Sequence, residues 1–272
     1  MKFYLLGYPV GHSVSPPMHN AAFNELGMSH EYSSLGVEPS KLAEIISTRI
    51  RADEFGGGSV TIPHKIEMLR LVDELDESAE MAGAVNTLQW KDGVLTGYNT
   101  DATGGVRALI ESYGDISQTN TVLLGAGGAA NALAAQLKPR VKELTILNRT
   151  EEKARALAER IGTNFGSIIR DQALIESADI IVNATSVGMH PNVGESPIDK
   201  KYLHDGQMVF DIVYNPQKTQ IMLDAEEAEG RSLGGLWMLV YQGVEAFEIW
   251  TGVRPSAQTM YDAAKMALLE RH

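Results

Sequence analysis

The stretch that most restricts the fold is Gly125-Ala126-Gly127-Gly128-Ala129-Ala130. It stands between a short apolar run, Thr121–Leu124, and an alanine-rich run ending at Leu137. The first reads as a buried strand and the second as a helix. A glycine turn of the form G-x-G-x-x-A between strand and helix lets backbone N–H groups approach a pyrophosphate at the positive end of the helix. Such a turn also occurs where only packing requires it, so the second strand carries more weight. That strand, Leu144–Leu147, ends in Asn148-Arg149-Thr150, with Arg149 24 residues beyond Gly125. A chain that binds NAD usually places Asp or Glu there to hold the ribose 2′-hydroxyl. Here no carboxylate occupies the strand end. Arg149 can clamp a 2′-phosphate, Thr150 can donate a further hydrogen bond, and Lys153 adds charge. NADP(H) is therefore the expected cofactor. Asn148 and Thr150 can equally cap the helix at Glu151, a role compatible with phosphate binding.

Strand-like and helix-like segments alternate along the chain, the signature of an α/β protein. Expected strands are Lys2–Tyr8, Glu31–Val37, Ser59–Ile62, Ala84–Trp90, Val94–Tyr98, Thr121–Leu124, Glu143–Leu147, Asp179–Ala184 and Met208–Val213. Lys91-Asp92-Gly93 forms a hairpin turn. Expected helices are Pro16–Leu26 with Ser15 as N-cap, Ser40–Arg51, one starting near Pro63, Gly104–Tyr113, Glu151–Ile161, Asp171–Ser177, Leu236–Trp250 and Ala257–Leu269. The last two can return to the first half and make it discontinuous.

At 272 residues the chain accommodates one large domain or two medium ones. It has no cysteine, which excludes disulfides, thiolate zinc sites and a cysteine nucleophile. The opening Met1–Gly7 is too brief for a secretory signal, and no window approaches a membrane span; a cytoplasmic protein is expected. A net charge of -12 argues against nucleic acid as a partner. It also makes isolated cations beside glycine turns informative, since an anion must be held there against the global field. His12 and His19 lie on different expected elements and form no ligand motif, so no metal is expected. Met238, Tyr241, Phe247 and Trp250 read as helix-packing residues.

Three polar clusters fall near expected strand ends, where open α/β sheets bind ligands. They are Gly11–Pro16, Ser59–Lys65, and Gly83–Thr87 together with Asn99–Asp101. Their hydroxyls, amides, single ammonium and single carboxylate suit a small polyhydroxylated acid. A lysine in the first turn of a helix is normally a solvated surface group, but the positive end of a helix is an unfavourable place for it. That points to a purpose for Lys65. Asp101 could be an N-cap, a catalytic group, or both.

With these clusters in view, the chain resembles the shikimate dehydrogenase family. The motifs are GHSVSPPMHN, SVTIPHK, GAVNT, NTD, GAGGAA, NRT, NATSVGM, VFDIVYNP and YQGVEAFEIWTG, in the family's order over nearly the whole chain. The resemblance implies two α/β domains with an active-site cleft between them. Residues 1–101, completed by helices in 237–272, would bind substrate, and 102–236 would be a Rossmann-like NADP-binding domain. It implies that Ser13 and Ser15 hold the substrate carboxylate, and that Thr61, Asn86, Tyr214 and Gln242 contact its carboxylate or hydroxyls. Lys65 and Asp101 would be the catalytic pair and also touch substrate. Gly125, Ala126, Gly127, Gly128, Ala129, Asn148, Arg149, Thr150, Lys153, Ile212 and Gly235 would lie along the cofactor. The implied reaction is the reversible reduction of 3-dehydroshikimate to shikimate, with hydride from NADPH and the proton handled by Lys65. A quinate/shikimate dehydrogenase using both NAD and NADP, another small-acid dehydrogenase, and a non-catalytic metabolite sensor are the alternatives. A homodimer is an open possibility for the assembly. Trp237 and Ala102 depart from the family's usual small residue and glycine, and neither removes a reactive group.

Overall fold

A computed structural model describes residues 1–270. By its internal contacts the chain divides into two units, 1–104 with 240–272, and 105–239. Both boundaries fall a few residues later than the sequence-based ones and lie inside helices.

The first unit opens with β1 (Lys2–Gly7), α1 (Ser15–Glu25), β2 (Glu31–Gly36), a one-turn helix α2 (Leu42–Ile45) and β3 (Phe55–Val60). It continues through β4 (Glu74–Leu75), α3 (Glu77–Ala82), β5 (Thr87–Lys91), β6 (Val94–Tyr98) and the start of α4 (Asp101–Tyr113). The sheet order is β2-β1-β3-β5-β6-β4. β1 runs parallel to both β2 and β3, whereas β5 is antiparallel to β3 and β6. Because β2 and β3 flank β1, the carboxyl ends of β1 and β3 meet at a change of winding direction, where α/β sheets bind ligands. The two-residue hairpin Asp92-Gly93 has positive φ at both positions, 53° and 82°, matching the twist of its strands.

Three expectations need correction here. Ser40–Arg51 is not one α-helix: a 3₁₀ turn at Pro39–Lys41, α2, and a π turn at Ile46–Ile50 replace it. The hydroxyls of Ser47 and Thr48 both donate to the Glu44 carbonyl, competing with the regular ladder. Ser15 is the first residue of α1 rather than its cap; Val14 takes the cap position. No α-helix starts near Pro63; only a 3₁₀ turn at Glu67–Arg70 forms. The Lys65 carbonyl accepts the Val85 N–H at 2.8 Å, so the peptide is tied to the approach to β5 instead of to a helical turn.

The second unit contains β7 (Asn120–Leu124), α5 (Gly128–Leu137), β8 (Glu143–Asn148), α6 (Glu151–Ile161), β9 (Asn164–Ser167) and α7 (Gln172–Glu176). β10 (Ile180–Asn183), β11 (Met208–Asp211), α8 (Gln220–Glu227) and β12 (Arg231–Gly234) follow. All six strands are parallel in the order β12-β11-β10-β7-β8-β9. Numbered within the unit, this is the 3-2-1-4-5-6 arrangement of dinucleotide-binding sheets. Paired residues Leu233, Phe210, Val182, Leu123 and Ile146 run across it, all buried. Near-continuous apolar strands are what a sheet covered on both faces requires.

α9 (Gly235–Thr251) and α10 (Ala257–Leu269) complete the chain's elements. From Val240 onward they belong to the first unit. The Trp250 indole N–H donates to the Leu88 carbonyl at 2.9 Å, and α10 packs on α1. Phe3, His19, Phe23, Tyr32, Phe247 and Trp250 form one aromatic cluster, with Phe23 and Phe247 centroids 4.7 Å apart. The packing reading of Phe247 and Trp250 agrees with this.

Candidate active site

In the first unit, the turn after β3 carries Lys65 and the start of α4 carries Asp101. Their side chains meet: Lys65 Nζ donates to Asp101 Oδ2 at 2.6 Å. Both remain about a third accessible, at 30% and 27%. The Asp101 N–H donates to Asn99 Oδ1 at 3.1 Å, and the Asn99 amide donates to the Ala84 carbonyl at 2.8 Å. The Lys65 backbone is thus tied by the Val85 peptide, and its ammonium is held by a braced carboxylate.

Asn86 and Gln242 share a buried partner that sequence reasoning left without a role, Thr100. The Thr100 N–H donates to Asn86 Oδ1 at 2.8 Å, and Asn86 Nδ2 donates to Thr100 Oγ1 at 3.1 Å. Thr87 Oγ1 donates to Asn86 Oδ1 at 2.9 Å, and Thr100 Oγ1 reaches Gln242 Oε1 at 3.5 Å. With two donors on its oxygen and one N–H used, the Asn86 amide is held in a single orientation. Because Thr100 precedes Asp101, this amide pair is built next to the ion pair.

Ser13 and Ser15 lie together after β1, their hydroxyls 3.1 Å apart, and the Ser15 N–H donates to Ser13 Oγ at 3.2 Å. Pro16 and Pro17 remove two N–H donors from the first turn of α1, so hydroxyls must supply donors for an anion there. Thr61 follows β3 and is tied to β1 by its N–H on the Leu6 carbonyl at 2.8 Å. Tyr214 is the predicted substrate residue that falls in the second unit, exposed after β11.

The glycine turn follows β7 in the second unit. Gly125 has φ +111°, and a Cβ there would stand 3.0 Å from the Ala184 carbonyl oxygen. Gly127 caps α5, and Gly127, Gly128 and Ala129 are exposed, leaving the first-turn N–H groups open. Asn148 ends β8 and its amide donates to the Thr150 carbonyl at 2.8 Å. Thr150 caps α6 without using its side chain, and Arg149 and Lys153 are exposed beside it. The capping alternative for the Asn148 and Thr150 side chains is therefore not used. Glu151, the next carboxylate along the chain, is ion-paired with Arg155 and Arg170. The Ile212 N–H donates to the Asn183 carbonyl at 3.1 Å, and a Cβ on Gly235 would lie 2.1 Å from the Ile212 carbonyl oxygen. These features fit a dinucleotide phosphate: an open helix N-terminus, a cradle no Cβ could share, and exposed cations at the second strand.

Asn183 and Asp211 are two further buried polar residues at strand ends that received no role from sequence alone. Both stand in quoted motifs, NATSVGM and VFDIVYNP, which was the available signal. His12 is exposed, His64 is buried with Nε2 2.7 Å from the Val37 carbonyl oxygen, and His19 is fully buried in the aromatic cluster. Among the described residues no group of three His, Cys, Asp or Glu side chains could hold a metal, and no helix is long and apolar enough to cross a membrane.

Comparison with known proteins covers both units. Residues 5–88 match the shikimate dehydrogenase substrate binding domain, 108–222 the shikimate/quinate 5-dehydrogenase family, and 235–265 the shikimate 5′-dehydrogenase C-terminal domain. The NADP(+) shikimate dehydrogenase of Methanothermobacter thermautotrophicus is 45% identical, over 97% of this chain and 95% of that one. A crystal structure of a shikimate dehydrogenase with NADP+ superposes with a TM-score of 0.90 at 40% identity, covering 97% of this chain and 94% of the other. The Thermus thermophilus enzyme in complex with NADP(H) and shikimate gives 0.89 at 34% identity, covering 98% and 99%. Strand order, motif order and full-length identity converge: the chain belongs to the shikimate dehydrogenase family.

Proposed function

We propose that this chain catalyses the reversible NADPH-dependent reduction of 3-dehydroshikimate to shikimate, in the cytoplasm. The observation that carries the reading is the 2.6 Å Lys65–Asp101 pair, set beside the oriented amides of Asn86 and Gln242. In this reading residues 1–104 and 240–272 bind substrate, joined by Tyr214, and the rest of 105–239 binds the cofactor. Ser13 and Ser15 take the substrate carboxylate. Thr61, Asn86, Tyr214 and Gln242 take its carboxylate or ring hydroxyls.

Gly125–Ala129, Asn148, Arg149, Thr150, Lys153, Ile212 and Gly235 would hold NADP(H), which when bound would supply the hydride for the ketone carbon. The Lys65 ammonium donates a hydrogen bond to the ketone oxygen, stabilises the charge that develops on it, and gives up its proton. Asp101 holds the ammonium in place by a charge-assisted hydrogen bond and accepts from the neighbouring substrate hydroxyl. In the oxidative direction the neutral Lys65 amine takes the hydroxyl proton.

The test is the initial rate of nicotinamide reduction with shikimate or quinate and with NADP+ or NAD+. Shikimate with NADP+ should be the preferred pair, by about tenfold or more over NAD+ if Arg149 holds the 2′-phosphate. Absence of shikimate oxidation with either cofactor overturns the reading. Equal use of both cofactors and of quinate establishes the broader quinate/shikimate activity instead. The acidic chain should not bind nucleic acid. A homodimer would show as twice the monomer mass in sedimentation.

A further inference from the structure

We propose that Asp211, through Asn183 and Thr219, is a positioning residue for the nicotinamide half of the cofactor surface. This rests on the cofactor reading given above.

Asp211 ends β11 with its side chain fully buried. Its Oδ1 accepts the Val213 N–H at 3.0 Å, and its Oδ2 accepts the Thr219 hydroxyl at 2.6 Å. Asn183 stands beside it in the sheet register, and its side chain helps hold the carboxyl's pKa down. A carboxylate so placed is costly: burial pushes its pKa up, and Thr219, Val213 and Asn183 pull it back. An apolar residue would fill the space but leave the Val213 N–H and the Thr219 hydroxyl without an acceptor. Packing alone does not call for an acid here.

Asn183, at the end of β10, extends the brace. Its Oδ1 accepts both the N–H and the hydroxyl of Thr185, at 3.1 and 2.7 Å. Its backbone carbonyl accepts the Ile212 N–H. The loops leaving β10 and β11 are therefore tied to one buried hub.

The position of those loops gives the hub its meaning. β10 lies directly beside β7, and the Ala184 carbonyl faces Gly125. In this strand order a dinucleotide straddles the carboxyl ends on either side of the glycine turn. Arg149, after β8, marks one side as the adenosine side. The other half must then extend over the ends of β10 and β11, the backbone that Asp211 and Asn183 hold. Gly235 packs against the same segment, its N–H on the Val213 carbonyl at 3.2 Å. A neutral carboxamide-bearing ring is recognised by backbone N–H and C=O groups, whose placement depends on such a brace.

Isothermal titration of the full chain with NADPH and with 2′,5′-ADP, which carries only the adenosine half, separates the possibilities. Asp211→Ala should weaken NADPH binding about tenfold or more and leave 2′,5′-ADP within about twofold, the loss expected of a charged hydrogen-bond acceptor. Asp211→Asn, which can accept from Val213 and donate to Thr219, should recover most of the affinity. Thr219→Val, a milder cut of one bond, should give a several-fold loss for NADPH alone and serves if Asp211→Ala does not fold. Undiminished NADPH binding in these variants, or an equal loss for both ligands, overturns the proposal. A wild-type chain that binds neither ligand would instead refute the cofactor reading.

Discussion

Replacing Lys65 by methionine keeps the length and the apolar stem of the side chain and removes only the ammonium. Loss of one hydrogen-bond donor at a developing oxyanion costs about 2.7–4 kcal/mol. At about 1.4 kcal/mol per factor of ten, turnover should fall by two to three orders of magnitude. The fold should survive. The Lys65–Asp101 pair is about a third exposed, and partly solvated ion pairs contribute about 0–1 kcal/mol. Asp101 keeps its backbone bond to Asn99, and water can solvate the carboxylate that Lys65 leaves. The melting temperature should therefore drop by no more than about 4 °C, and the backbone tie from Val85 to residue 65 should persist. The assay is steady-state shikimate oxidation at saturating NADP+, with shikimate affinity measured by titration and folding by circular dichroism. If a folded Lys65→Met variant turned over within about tenfold of wild type, the oxyanion argument would be wrong.

Three other outcomes follow from separate parts of the structure. Arg149→Ala should raise the KM for NADP+ about ten- to hundredfold and leave that for NAD+ unchanged, because only the 2′-phosphate loses a partner; a parallel change for both cofactors sinks the assignment. Gly235→Ala should destabilise the chain by about 1–3 kcal/mol, since its Cβ would meet the Ile212 carbonyl oxygen at 2.1 Å; an unchanged melting temperature would contradict the close approach. Burial lowers the His19 pKa to about 3, whereas an unfolded histidine titrates near 6.5. Between those values the unfolded chain binds a proton that the folded chain excludes, so stability declines as pH falls through that range. His19→Phe should remove this component, and equal losses of urea midpoint in variant and wild type between pH about 7 and about 4.5 would show the residue is not the cause.

The second unit is largely legible in sequence because parallel strands buried on both faces are written as apolar runs, as in Val122–Leu124 and Ile180–Val182. The elements that escape there, β9 and β12 at the two sheet edges and the helix α8 between β11 and β12, carry few apolar residues or a single apolar face. None stands out by periodicity. In the first unit, Pro63 looks like a first-turn residue and so suggests a helix carrying Lys65. The contact that prevents the helix, from Val85, comes from a distant segment. The site residues stand out because hydroxyls, amides and charges cluster at strand ends. Thr100 falls in such a cluster but shows no role there, and Asn183 and Asp211 lie outside the clusters, because a buried polar side chain looks the same in sequence as a solvated one. Their burial and partners exist only once the strands are aligned.

The aromatic cluster draws on both ends of the chain: Phe3 comes from β1, an interior strand, whereas Phe247 and Trp250 come from α9. α10, the final helix, covers α1, the first one. Domains tend to fold as units while the ribosome is still at work. Here the contiguous stretch 105–239 has all its partners as soon as it emerges, but the half made first must wait for the last helices. A nascent chain would thus carry Phe3, Phe23 and Tyr32 uncovered through most of its synthesis, so the order of emergence and the order of completion are opposite.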